Sequence, residues 1–155
     1  PEEPCWRLGA HADAWKPLRL PLLSGEQKLA LGVSAQLSGW QLPSTFRMAL
    51  GGARRARGYE RNLFLADGGL LASADFRCGL PLGELVLFTD AGYGESLNDT
   101  GTQWGYVFDV GDGWDADLTR HLVTRLSLAV PLTTHGSPEL DDEGAKLFWS
   151  LRYEY

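Results

Sequence analysis

Alternation of apolar and polar residues with a period of two is the feature that most limits what this chain can fold into. In "KLALGVSAQLSGW" (28–40), every second residue from Leu29 to Leu37 is apolar, and the residues between them are small or polar. Successive side chains of a β-strand point to opposite faces of a sheet, so this spacing predicts a strand with one apolar face. The stretch "AKLFWSLRYEY" (145–155) shows the same alternation most clearly.

Five further stretches carry this signal. They are "CWRLGAHADAW", "GLLASADFRCGL", "GELVLFTDAGYG", "QWGYVFDVGDGW" and "HLVTRLSLAVPL". The breaks between strands, such as "SLNDTGT" and "THGSPELDDEG", hold the Gly, Pro, Asn, Asp and Ser residues that end strands. No stretch keeps a helical period. The sequence therefore predicts an all-β protein, an antiparallel meander of about seven strands.

Composition fits a single domain of this kind, residues 1–155. The chain holds 19 Gly and 6 Trp residues in 155, which suits strands and tight turns better than helices. Its net charge of −6 argues against general nucleic-acid binding. No apolar run reaches the roughly eighteen residues of a membrane helix, and "PEEPCW" lacks the features of a signal peptide. Soluble β proteins and membrane β-barrels both stay open, because barrel strands direct only alternate residues to lipid.

Strand length favours the membrane barrel over a soluble β-sandwich. The alternating stretches run for about ten residues, the length a barrel strand needs to cross a bilayer, whereas soluble strands average about five or six. Most Trp and Tyr residues fall near strand ends, where the aromatic girdles of membrane barrels lie. These residues are Trp6, Trp15, Trp40, Tyr93, Trp104, Trp149, Tyr153 and Tyr155.

An arginine-rich segment, about residues 41–68, interrupts the strands. It reads "QLPSTFRMALGGARRARGYERNLFLADG" and is too long for a hairpin turn, which is typical of a functional loop. A phosphate-binding loop is excluded because no GxxxxGK[ST] or GxGxxG motif and no following helix are present. A nucleic-acid patch is disfavoured, since few aromatic residues lie among the arginines.

This segment resembles that of the two-partner-secretion transporters, the haemolysin-activator family of outer-membrane proteins. In that family a Gly-Gly pair precedes an Arg-Gly-aromatic tip on a long loop that folds into the barrel lumen. The matching residues here are Gly51, Gly52, Arg57, Gly58 and Tyr59. "ELVLFTDAGYG" is similar to the family's Phe-x-Asp-x-Gly strand motif through Phe88, Asp90 and Gly92. The resemblance covers roughly residues 27 to 155, and the tip motif also occurs in barrel-assembly proteins of the same superfamily.

Physical chemistry independently links the loop to the strand motif. Alternation places Asp90 on the polar face of its strand, which would be the lumen side of a barrel. A carboxylate in a narrowed lumen needs a partner, and the Arg57 guanidinium can pair with it through two hydrogen bonds. We expect the arginines to enter a lumen lined with acidic groups, with Arg54 and Arg55 solvated. These acidic groups include Asp13, Asp75, Asp90 and Asp109.

The end of the sequence resembles the family's last strands and the signal by which outer-membrane barrels engage their assembly machinery. Its alternating residues are Leu147, Trp149, Leu151, Tyr153 and Tyr155. A final lipid-facing strand without a signalling role is an equally good interpretation. The family's barrel has sixteen strands and periplasmic domains, so we expect a C-terminal fragment. The alternative, a small self-closing barrel, would need an eighth strand from "KPLRLPLL".

The resemblance implies an outer-membrane polypeptide transporter of a Gram-negative bacterium that secretes a large partner exoprotein. Its other partners would be outer-membrane lipid and the barrel-assembly machinery. The alternatives are a barrel-assembly-type insertase and a soluble secreted β-sandwich binding module. No cofactor, metal site or nucleic-acid partner is expected, and the protein is not expected to be an enzyme. "DVGDGWDAD" lacks the spacing of a calcium loop, no GxSxG is present, and Cys5 and Cys78 show no metal-ligand spacing.

Overall fold

A computed structural model describes residues 6–21, 25–52, 56–60, 62–98, 101–119, 121–135 and 144–153. The described residues form nine strands and one short 3₁₀ turn, Ser44–Phe46, and no α-helix. The strands are β1 (Arg7–Leu18), β2 (Gln27–Ser38), β3 (Met48–Leu50), β4 (Phe64–Ala66), β5 (Gly68–Leu80), β6 (Gly83–Asn98), β7 (Gly101–Thr119), β8 (Leu122–His135) and β9 (Lys146–Tyr153).

Seven of these strands form one antiparallel sheet in meander order, β1-β2-β5-β6-β7-β8-β9. This confirms the predicted fold, and each of the seven alternating stretches corresponds to one strand. Within the described ranges, no pairing joins β1 to β9, so the sheet has two open edges. The stretch "KPLRLPLL" adds no strand of its own in its described part, because β1 ends at Leu18 and residues 19–21 are not in a strand.

Alternation divides the sheet into two different faces. One, the loop face, carries the segment 41–67, and on β6 it buries Val86, Phe88 and Asp90. The other, the apolar face, exposes large hydrophobic side chains across the sheet. They include Leu31, Val33, Leu70, Leu87, Tyr93, Trp104, Tyr106, Phe108, Leu126, Leu128, Val130, Leu147, Trp149, Leu151 and Tyr153. The charged residue Asp112 interrupts this face between Leu87 of β6 and Leu128 of β8.

The core lies between the loop face and the folded segment 41–67. Inside that segment β3 and β4 pair as a short antiparallel ribbon, which sequence patterns did not predict because three-residue strands show no period. Leu50 and Phe64 of the ribbon pack with Tyr59, Leu71 and Val107 in the buried cluster. The described part of the segment is therefore packed on the sheet and is not an open loop.

Two aromatic assignments can be compared with the structure. Trp104 and Tyr106 stack on the apolar face with ring centroids 6.5 Å apart. Trp15 is not at the expected girdle position. It pairs with Ala30, which in turn pairs with Asp75, so Trp15 lies on the loop face. There the Lys28 ammonium nitrogen lies 5.3 Å from the centroid of the Trp15 ring. Among the residues that the structure describes, no helix is long and apolar enough to cross a membrane.

Candidate functional site

The Arg57 guanidinium is the centre of the candidate site. Its Nε and Nη2 donate to the two Asp90 carboxylate oxygens at 2.8 and 3.0 Å, and Nη2 also donates to Asp75 Oδ1 at 2.6 Å. The guanidinium carbon lies 3.5 Å from the centroid of the Phe88 ring. The Arg57 side chain is only 12% exposed and Asp90 is buried. Two carboxylates and an aromatic face thus hold one guanidinium in a fixed orientation.

This environment keeps Arg57 charged. Burial alone lowers the pKa of the guanidinium, but the hydrogen bonds and charges of Asp90 and Asp75 outweigh it, and the net result is a raised pKa. The ion pair continues beyond Arg57, because Asp75 Oδ2 lies 3.5 Å from Arg77 and Arg77 donates to Glu84 at 2.7 Å. A line of alternating charges therefore extends along the loop face from the loop tip.

The same line ends on β8. Asp115 Oδ2 lies 3.5 Å from Arg77 and accepts a hydrogen bond from Arg125 at 2.5 Å. A small cavity, ≈30 Å³, lies among Arg57, Arg77, Arg125 and their neighbours. Each arginine of this line therefore has an acidic partner, and the line links β5, β6, β7 and β8 to the loop.

Gly58 and Tyr59 continue the contact made by Arg57. A Cβ at Gly58 would lie 2.7 Å from Asp109 Cβ and 3.0 Å from the Pro131 nitrogen, so only glycine lets the tip approach the strands this closely. Tyr59 is fully buried, and its hydroxyl donates to the Phe108 carbonyl at 3.1 Å. Three consecutive residues of the predicted tip thus contact four adjacent strands, β5, β6, β7 and β8.

The predicted Gly-Gly pair makes the turn into the tip. Gly51 and Gly52 have φ of 104° and 128°, a conformation that L side chains rarely adopt. A Cβ at Gly51 would collide with the Glu60 carbonyl. Gly92 of the strand motif gives space below the ribbon, because a Cβ there would lie 2.8 to 3.2 Å from Leu71, Val107 and Leu50 side-chain atoms.

Asp67 is a second anchor that sequence reasoning missed. Its fully buried carboxylate accepts from the Leu42 and Leu97 N–H groups at 2.6 and 2.7 Å and lies 3.1 Å from Arg47 Nε. Gln36 adds a bond of 3.1 Å to the Asp67 carbonyl. This arrangement ties both ends of the loop to the sheet. The signal that could have found it is an acidic residue directly before β5 and a basic residue, Arg47, directly before the ribbon.

Asp109 is the unusual residue of the site. It is fully buried beside Asp90 in the β6–β7 register, and neither carboxylate oxygen has a hydrogen-bond partner among the described residues. Buried carboxylates are normally hydrogen-bonded, so this one is costly for the fold. The site holds more acidic than basic groups at its centre, since Asp75, Asp90 and Asp109 surround Arg57.

Other predicted site residues lie elsewhere. Asp13 was expected in the acidic lining, but it is 61% exposed and pairs with His11, whereas the acidic partners of Arg57 are Asp75 and Asp90. The described part of the C-terminal strand lies on the apolar face at the sheet edge: Leu147, Trp149, Leu151 and Tyr153. Tyr155, Cys5, Arg54, Arg55 and Arg61 lie outside the described residues. Cys78 is buried and free.

The arrangement holds the loop tip against the sheet by charge and shape. Within the described ranges, no group of three or more His, Cys, Asp or Glu side chains is placed to hold a metal ion. No protein-family model matches the chain, and no curated protein and no solved structure matches it. The resemblance to two-partner-secretion transporters therefore depends on the sequence motifs alone.

Proposed function

We propose that the chain is the C-terminal part of an outer-membrane barrel that transports a polypeptide, with the segment 41–67 inside the lumen. The observation that carries this proposal is the difference between the two faces of the sheet. Seven strands expose a nearly continuous apolar face, and monomeric soluble proteins rarely expose apolar patches of this size. In a soluble β-sandwich a second sheet would cover that face. No such sheet is present in the described residues.

Strand length supports a bilayer as the occupant of the apolar face. The strands of the large sheet are 8 to 19 residues long, and six of them have at least 12. A barrel strand needs about 9 to 11 residues to cross the bilayer. The loop face is the expected lumen side, because the charged line and the docked tip lie there. The tip would then narrow the path, and the passing polypeptide would move along charged walls without any covalent step.

Membrane insertion is tested by placing an arginine on either face of the same strand. Val33 of β2 lies on the apolar face, and Ser34 beside it lies on the loop face. We expect Val33→Arg to weaken insertion into phosphatidylcholine vesicles by about 2 to 4 kcal/mol, the cost of arginine against lipid. Ser34→Arg is the matched control and should insert like the native chain. Equal insertion of both variants would show that lipid does not cover the apolar face.

Transport is tested separately by secretion of the partner exoprotein from cells that carry Arg57→Ala, Asp90→Ala or both changes. If the pair acts as a unit, the double variant should secrete no less than either single variant. Arg57→Lys should also reduce secretion, since an ammonium cannot reproduce the two-point contact with Asp90. Losses that add in the double variant would contradict a shared role. Normal secretion in all four variants would contradict the transport proposal while leaving membrane insertion intact.

A further inference from the structure

The β7–β8 pairing contains an irregularity directly beneath the loop tip. Asp109 pairs with Pro131, but the preceding residue of β7, Phe108, pairs with Thr133. Leu132 is therefore an extra residue on β8, which is the definition of a β-bulge. Proline has no N–H to give to a neighbouring strand and is found inside sheets mainly at edges and bulges, and Pro131 lies directly before the extra residue.

Tyr59 fits the backbone at this bulge. The hydroxyl of Tyr59 donates to the Phe108 carbonyl at 3.1 Å and accepts from the Phe108 N–H at 3.4 Å. The next residue, Asp109, directs its carbonyl towards β6, where the Thr89 hydroxyl donates to it at 2.9 Å. Neighbouring residues of a strand direct their backbone groups to opposite sides, so those of Phe108 face β8. The Tyr59 hydroxyl thus bonds both the N–H and the carbonyl of Phe108, on the side of β7 where the bulge interrupts the β7–β8 hydrogen bonds.

Gly58 also packs against the sheet at this bulge. A Cβ there would lie 3.0 Å from the Pro131 nitrogen, and this nitrogen carries no hydrogen that would need a partner. The backbone of the tip therefore lies against the one position of β8 that has no donor to satisfy.

We propose that the β7–β8 bulge at Leu132 is a socket in the sheet that positions the loop tip. It takes the Tyr59 hydroxyl and seats Gly58 against Pro131, while Arg57 is held by Asp90. The inference deepens the proposed function, in which the docked tip narrows the transport path. The docking itself is measured below without any transport.

The test is amide hydrogen exchange of the intact chain in detergent micelles, read by mass spectrometry of peptides that contain Arg57 to Tyr59. Tyr59→Phe removes only the hydroxyl, and we expect it to raise exchange at the tip roughly 2- to 10-fold, the effect of one net hydrogen bond. Gly58→Ala should raise it at least as much, because the added Cβ would lie 2.7 Å from Asp109 Cβ and 3.0 Å from the Pro131 nitrogen.

Two controls separate positioning from general stability. Tyr93→Phe removes a hydroxyl on the apolar face that bonds Glu95, and it should leave exchange at the tip unchanged. Exchange at Leu42 and Leu97, whose N–H groups are held by Asp67, should stay unchanged in every variant. Equal rises at the tip and at these two amides would show a general loss of stability and overturn the proposal. Unchanged tip exchange in Tyr59→Phe would overturn it too, whether or not Gly58→Ala folds.

Discussion

Two neighbouring carboxylates at the site differ in their hydrogen bonding. Asp90 accepts two guanidinium hydrogen bonds from Arg57, whereas Asp109, its partner in the β6–β7 register, has no hydrogen-bond partner among the described residues. The same change at the two positions should therefore have opposite effects. This contrast separates the role of each residue from the general effect of removing one negative charge.

We expect Asp90→Asn to lower the free energy of unfolding by about 3 kcal/mol, because it leaves a buried guanidinium without its main partner. Asp109→Asn should raise that free energy by about 1 kcal/mol, since it removes a buried carboxyl group next to Asp90 that has no hydrogen-bond partner among the described residues. Denaturant unfolding of the chain in the same detergent gives both values. A loss of stability in Asp109→Asn as large as that in Asp90→Asn would mean that Asp109 has a partner that it needs.

The sequence could predict the Arg57–Asp90 contact but not the state of Asp109. Alternation gave the face on which Asp90 lies, and the resemblance supplied the loop tip as its partner. The energetic cost of burying the Asp109 carboxyl group depends on which residue of β6 lies opposite it. That residue is set by the strand register, which alternation alone does not determine. Asp13 shows the same limit: its face was consistent with the acidic lining, but its distance from the tip depends on strand order.

Among the elements, the segment 41–67 is held at two separate places. The tip is held by Asp90, Asp75 and the β7–β8 bulge, and the base by Asp67.

The seven long strands could be predicted because a period of two over about ten residues is typical of strands and does not fit a helix. Their bounds were less predictable: β7 continues to Thr119, five residues beyond the alternating stretch. The ribbon of β3 and β4 forms because the sheet offers it a surface, which sequence alone does not reveal.

The base anchor gives a prediction of its own. We expect Asp67→Asn to lower the free energy of unfolding by about 2 to 4 kcal/mol, because a buried carboxylate that accepts two N–H groups and pairs with Arg47 loses its charge. Asp13→Asn, in an exposed pair with His11, is the control and should change stability by no more than about 0.5 kcal/mol. Faster amide exchange at Leu42 and Leu97 in Asp67→Asn would place the loss at the base. If both amides in Asp67→Asn stayed as protected from exchange as in the native chain, Asp67 would not be an anchor.

For the whole molecule, the direction of the edge strands limits how the sheet can close. Six successive antiparallel pairings separate β1 from β9, so these two strands run in the same direction. Direct closure would need a parallel pair, whereas an all-antiparallel barrel that contains this sheet needs an odd number of further strands. Single-chain bacterial barrels are antiparallel with an even strand number. We therefore expect the seven strands alone to stay open at both edges.

Amide hydrogen exchange of the chain in detergent micelles measures this directly. In β1, alternate residues direct their N–H groups away from β2, and with an open edge these amides should exchange quickly while those facing β2 are protected. In the central strand β6, both sets should be protected, because β5 and β7 pair on its two sides. The pattern should be the same at low and high protein concentration. Full protection along β1 at all concentrations would mean that β1 and β9 close on each other, and protection that appears only at high concentration would mean that two copies join at their edges.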